Sequence, residues 1–116
     1  MKMKTEKTSS FSKTYYDEPR DEMVCFVPIS AKRLLDVGCG QGAFGGNLLK
    51  THSQLQIWGI EPFADAAEVA QQRLAKVINT TVENALESLP EHYFDCVIFN
   101  DSLYERFAVL ASPLDA

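Results

Sequence analysis

The stretch Leu34-Leu35-Asp36-Val37-Gly38-Cys39-Gly40-Gln41-Gly42 decides how the chain folds. A short β-compatible apolar run, Arg33 to Val37, meets glycines at positions 38, 40 and 42, and Ala-Phe-Gly-Gly-Asn-Leu-Leu-Lys follows from Ala43. The order is strand, loop, helix, which is the context that gives alternate glycines a meaning. Without a Cβ the backbone can turn sharply and let a ligand lie against it, and the amides of the helix that follows favour polar or anionic ligand groups.

Working outward, Leu55 to Ile60 is a second apolar strand, and the Ala-rich segment from Ala64 to Val77 is built of strong helix formers. Val77 to Val82 is β-branched and short, which predicts a third strand followed by a brief helix near Glu83 to Ser88. After Pro90, Phe94 to Phe99 is a nearly continuous apolar run, the pattern of a parallel strand buried on both faces, and a final helix is expected from about Asp101. Upstream, Met23, Val24, Phe26 and Val27 form the apolar face of a lead-in helix that ends before Pro28. Strands alternating with helices predict an α/β fold, a parallel sheet with helices on both faces. No internal repeat interrupts this order.

The chain has 116 residues, 46% of them hydrophobic and 23% charged, values of one soluble globular domain. A net charge of -5 speaks against a nucleic-acid surface, which needs clustered Lys and Arg, and suits a small neutral or cationic substrate. Lys2, Lys4, Lys7 and Lys13 are interleaved with Ser and Thr and lack an apolar stripe, so residues 1–14 read as a solvated flexible tail ahead of a domain over 15–116. Cys25, Cys39 and Cys96 are widely spaced and form no CxxC pair, which predicts reduced thiols and a cytoplasmic setting. No apolar run approaches the roughly 20 residues that span a bilayer, so no membrane partner is expected.

Two ligand classes compete for the glycine loop, because Gly40-Gln41-Gly42-Ala43-Phe44-Gly45 also satisfies the dinucleotide pattern GxGxxG. Either class uses an acid at the end of the second strand to hold ribose hydroxyls, and Glu61 stands there. The residues that separate the two classes are Asp36, two positions before the first glycine, and Phe94-Asp95-Cys96-Val97-Ile98-Phe99-Asn100-Asp101 on the fourth strand. Leu34 to Gly42 resembles the first motif of class I, Rossmann-like S-adenosylmethionine-dependent methyltransferases. Gly59-Ile60-Glu61-Pro62 looks like the second motif of that family, and Phe94 to Asp101 looks like the fourth.

The resemblance covers roughly residues 15 to 105 and implies a set of cofactor contacts. Gly38, Cys39 and Gly40, with Gly42 closing the loop, would line the methionine part, with Asp36 near its amino group. Glu61, followed by Pro62, would accept from both ribose hydroxyls. Thr81 and Val82 would lie beside the adenine, and Asn100 with Leu103 along the methionyl and substrate-facing side. Thr81 departs from the many relatives that carry an acid there, so its hydroxyl predicts a weaker or water-mediated contact. Asp101-Ser102-Leu103-Tyr104-Glu105 replaces the acid-His pair of many relatives, so Tyr104 and Glu105 inherit no role. The Asn-Pro-Pro-Tyr loop of methyltransferases that act on nucleic-acid bases is absent too.

Methyl transfer from a sulfonium needs an in-line nucleophile held close, so no dedicated catalytic residue is assigned. Ser9, Ser10, His52 and His92 have no motif context, and neither the histidines nor the cysteines have metal-ligand spacing. Tyr15 and Tyr16 are read as packing residues in preference to a cover for the cofactor.

The family's full domain is a seven-stranded sheet, so the resemblance implies a chain truncated to about four strands in order 3-2-1-4, lacking the substrate half. The fourth strand would then lie at an open edge, and either truncation of a longer protein or self-association through that edge is expected. The function implied is methylation of a small molecule, with S-adenosylhomocysteine as product. The readings left open are a cofactor-binding module without turnover and an NAD-dependent oxidoreductase fragment.

Overall fold

The computed structural model describes residues 2–7, 24–101 and 106–111, of which 2–7, 101 and 106–111 are described for the backbone alone. The chain runs β1 (Lys2–Lys7), β2 (Arg33–Val37), α1 (Ala43–Leu48), β3 (Gln56–Ile60), α2 (Ala64–Gln71), β4 (Lys76–Ile78), α3 (Val82–Ala85), a 3-10 turn (Leu86–Ser88), β5 (Cys96–Asp101) and β6 (Arg106–Ala111).

Leu34 and Leu35 are neighbours in the chain and both are buried, so β2 must be covered on both faces. One face carries Leu34, Ile57, Cys96 and Ile98, closed by Phe44 and Leu48 from α1 and by Ala70 and Leu74 from α2 and its exit. The other face carries Leu35 and Ile60 with the half-buried Trp58 and Val97, and α3 covers it with Val82 and Ala85. Helices on both faces are the arrangement the alternating elements predict.

The parallel strands pair β2 with both β3 and β5, and β3 with β4. Numbered among themselves, they stand in order 3-2-1-4, as expected. Register places Asp36 of β2 between Gly59 of β3 and Ile98 of β5. The order reverses at β2, so the crevice beyond its carboxyl end is the switch point where ligands bind in such sheets. At the opposite end, the Asp95 carboxylate accepts from the Lys32 and Arg33 amides at 2.9 and 3.2 Å and fixes the start of β5 against β2. The Tyr93 and Phe94 rings pack at 5.2 and 5.3 Å against Trp58, tilted and edge-on, while Arg33 and Lys76 cap these rings at 4.5 Å over Tyr93 and 4.4 Å over Trp58.

Three expectations are corrected. Among the described residues two further strands extend these four, because β6 pairs antiparallel with β5 and β1 pairs antiparallel with β6. The edge of β5 is therefore not open, and the reason for self-association through it is removed: its amides and carbonyls find partners within the chain. Asp101 ends a strand instead of beginning a helix. The segment read as the first part of a tail supplies β1, whose Lys-rich sequence suits an outer edge that must not pair with other chains.

The third strand is also shorter than its β-branched run. It ends at Ile78, and Thr81 instead caps α3 by accepting from the Asn84 amide at 3.3 Å. Of the lead-in helix only Val24 is described as helical; Tyr15, Tyr16, Leu103, Tyr104 and Glu105 lie outside the described residues. His52 is buried, its Nε2 donating to the Val27 carbonyl at 3.1 Å and its Nδ1 lying 2.8 Å from the Thr51 hydroxyl, so it ties the end of α1 to the segment before β2. Among the described residues no helix is long and apolar enough to cross a membrane.

Leu48 is 0% exposed at the centre of the first face and Leu86 is 60% exposed. Leu48→Ala should cost about 2–5 kcal/mol in urea unfolding, whereas Leu86→Ala should stay within about 0.5 kcal/mol. Equal costs would contradict the division into faces.

Candidate functional site

The loop after β2 is shaped by backbone that side chains tolerate poorly. Gly38, Gly40 and Gly42 have φ of 78°, 57° and 81°. A Cβ on Gly38 would stand 3.0 Å from the Asn100 carbonyl oxygen, so this glycine is needed both for its conformation and for the approach of β5. A Cβ on Gly40 would meet nothing within 4 Å. The loop is therefore packed at its base and open at its middle glycine.

Three successive amides fasten the loop to the end of β3. Gly38 and Cys39 both donate to the Ile60 carbonyl, at 2.8 and 3.1 Å, and Gly40 donates to Glu61 Oε1 at 2.8 Å. The other carboxylate oxygen, Oε2, accepts from the Phe63 amide at 3.1 Å. Glu61 is only 6% exposed, and these charge-assisted bonds offset the cost of burying its carboxylate. The carboxylate thus sits beside the open glycine, held by amides from two sides.

Asp36 is wholly buried at the base of the loop. Burial first, then the Asp36 and Glu61 charges, push the Cys39 thiol far above its ordinary range. Burial, followed by Asp95, pushes the Cys96 thiol up to about 12. Both thiols are protonated and act as small packing groups; a Cβ on Gly59 would stand 2.5 Å from Cys39 Sγ, which shows how closely the loop seats on β3.

Asp36, Gly38, Cys39, Gly40, Gly42, Glu61, Pro62 and Asn100 thus come together where β2, β3 and β5 end. Thr81 is exposed one strand further out, its hydroxyl engaged in capping α3, and Val82 is half-buried in the second face. Leu103 lies outside the described residues. His92 is exposed in a turn with φ 55°, and among the described residues no His, Cys, Asp and Glu cluster could hold a metal ion.

Two residues of this region escaped the sequence reading. Phe63, 74% exposed, presents its ring directly after Glu61 and Pro62. Asn79 donates through Nδ2 to the Glu61 and Pro62 carbonyls at 2.8 and 3.0 Å. A polar residue just past a β-branched run reads as turn punctuation, and no spacing rule marks it.

Comparisons with known proteins identify the family. A family model described as a methyltransferase domain matches residues 35–112, and the chain belongs to that family. It is 33% identical over 93 residues to the tRNA U34 carboxymethyltransferase of Trichlorobacter lovleyi, and 31% identical to that of Citrifermentans bemidjiense. In each case the match covers 76% of this chain and 27% of the relative, so the chain spans about a quarter of their length. A SAM dependent methyltransferase from Archaeoglobus fulgidus is 27% identical, with a TM-score of 0.54 over 66% of this chain and 34% of its own. The plantazolicin methyltransferase BamL, in complex with a triazolic desmethyl analogue and SAH, shares the fold at 20% identity, with a TM-score of 0.55 over 66% of this chain and 32% of its own.

The thiols give a test of the site's packing. At pH 8 the exposed Cys25 should alkylate with iodoacetamide while Cys39 and Cys96 stay unmodified until urea is added, as read by mass spectrometry. Because the folded pKa of Cys96 is raised from 9.0 to about 12, the unfolded chain loses this proton first, and stability should fall as pH rises from 9 toward 12. Rapid native labelling of all three thiols would contradict the burial.

Proposed function

We propose that the chain binds S-adenosylmethionine at the crevice beyond β2 and forms the cofactor-binding part of a methyltransferase. The observation that carries this reading is the Glu61 carboxylate, fixed beside the open Gly40 and accepting from the Gly40 and Phe63 amides at 2.8 and 3.1 Å. A carboxylate so held keeps lone pairs for two vicinal hydroxyls, the feature a ribose offers. The family match supports the same cofactor class and disfavours a nicotinamide dinucleotide.

In this reading Gly38, Cys39 and Gly40 lie along the methionine part, with Asp36 behind them for its amino group. Glu61 holds the ribose, and the exposed Phe63 ring offers a stacking face for the adenine, with Thr81 and Val82 further along the same rim. Asn100 and Leu103 belong to the side facing the acceptor. The sulfonium supplies an already reactive methyl group, and S-adenosylhomocysteine is the product. The protein's share is to bind, orient and exclude water, and no general base is assigned.

The acceptor we favour is a small neutral or cationic molecule, on the charge of -5, in a reducing cytoplasmic setting that suits three thiols. A second reading, an RNA acceptor, is favoured by the tRNA-directed relatives. Salt separates them: RNA retention would weaken steeply between about 50 and 200 mM salt through counterion release, whereas turnover of a small neutral molecule would not.

Calorimetry should detect S-adenosylmethionine and S-adenosylhomocysteine but not NAD. Glu61→Ala should weaken both by at least about tenfold, the loss expected for hydrogen bonds to a charged group. Unchanged affinity in that variant would remove Glu61 from the site. Binding without methyl transfer to any acceptor would favour a cofactor-binding module.

A further inference from the structure

The Glu61 backbone is gripped on both sides by the end of β4. Its amide donates to the Ile78 carbonyl at 3.1 Å, and its own carbonyl accepts from Asn79 Nδ2 at 2.8 Å. The same Nδ2 reaches the Pro62 carbonyl at 3.0 Å. Two carbonyls can only be met by the NH2 of the carboxamide, so its orientation is determined by chemistry. Pro62 has no N–H with which to close the turn, and its ring restricts φ. The remaining donor of the turn, the Phe63 amide, is taken by the Glu61 carboxylate at 3.1 Å. The three-residue turn Glu61-Pro62-Phe63 is therefore set by its own carboxylate on one side and by Asn79 on the other.

We propose that Asn79 is a positioning residue for ribose recognition: it holds the Glu61-Pro62-Phe63 turn in the one shape that aims the Glu61 carboxylate at the cofactor. The inference rests on the reading of Glu61 as the ribose acid. Asn79 is exposed, so its amide and both carbonyls would find water if separated, and the contact contributes geometry more than stability. Without it the two carbonyls turn outward, the turn loosens, and the carboxylate no longer presents its free lone pairs in a fixed direction. A merely structural Asn79 would weaken every ligand of the site alike. A positioning Asn79 weakens only those that use the ribose hydroxyls.

The test uses Asn79→Ala and Asn79→Leu in the full chain, the second nearly isosteric and also lacking the donor. Calorimetry compares S-adenosylhomocysteine with its 2′,3′-dideoxyribose analogue. The unaltered chain should prefer the natural ligand by about tenfold or more, and both variants should lose most of that preference while binding the dideoxy analogue as before. Equal weakening of both ligands overturns the proposal. A second arm needs no ligand: amide exchange followed by NMR should quicken at Gly40 and Phe63 in the variants while amides inside β3 are unchanged. Undiminished protection at Gly40 and Phe63 overturns the role of Asn79 by itself. An unaltered chain that does not distinguish the two ligands overturns the ribose reading of Glu61, and the inference with it.

Discussion

Three consecutive amides of one loop end on two consecutive residues of the neighbouring strand. Gly38 and Cys39 share the Ile60 carbonyl and Gly40 takes the Glu61 side chain, so the glycine loop and the tip of β3 move as one body. This fastening depends on register, since only the pairing of Val37 with Ile60 brings the first loop amide opposite the right carbonyl. The register depends in turn on which residues are buried, because a slip of one residue would turn Leu34 and Leu35 to the wrong faces. Core packing on two sides of β2 thus determines where a carboxylate stands at its end.

The arrangement works against stability locally. Two acids, Asp36 and Glu61, are buried close enough to raise the same thiol. Such a concentration persists only where the surroundings over-determine it, and here the surroundings are the apolar clusters and the amides that meet the Glu61 carboxylate.

The central strands were legible because their chemistry is local. Arg33 to Val37 and Leu55 to Ile60 are apolar runs with a glycine or an acid at the stop, and the βα alternation left one sensible sheet. The acid Glu61 could be found because it follows a strand directly. The far half misled for physical reasons. Asn100 and Asp101 are good helix N-caps, and that local preference lost to strand pairing with β6. β1 was hidden because Lys-Met-Lys-Thr-Glu-Lys has the composition of a solvated tail, and only a partner distant in sequence makes it a strand. Asn79 was hidden because its importance lies in two carbonyls contributed by another strand's end.

The pairing of Lys2–Lys7 with Arg106–Ala111 also bears on how the molecule assembles. β2 and β3 meet across a loop of one helix, whereas β1 and β6 are far apart in sequence, and loop closure makes that contact about 1.5 kcal/mol costlier in entropy. During synthesis β1 is therefore made well before β6 exists to pair with it. Its polar, lysine-rich sequence is what allows it to wait in water without aggregating.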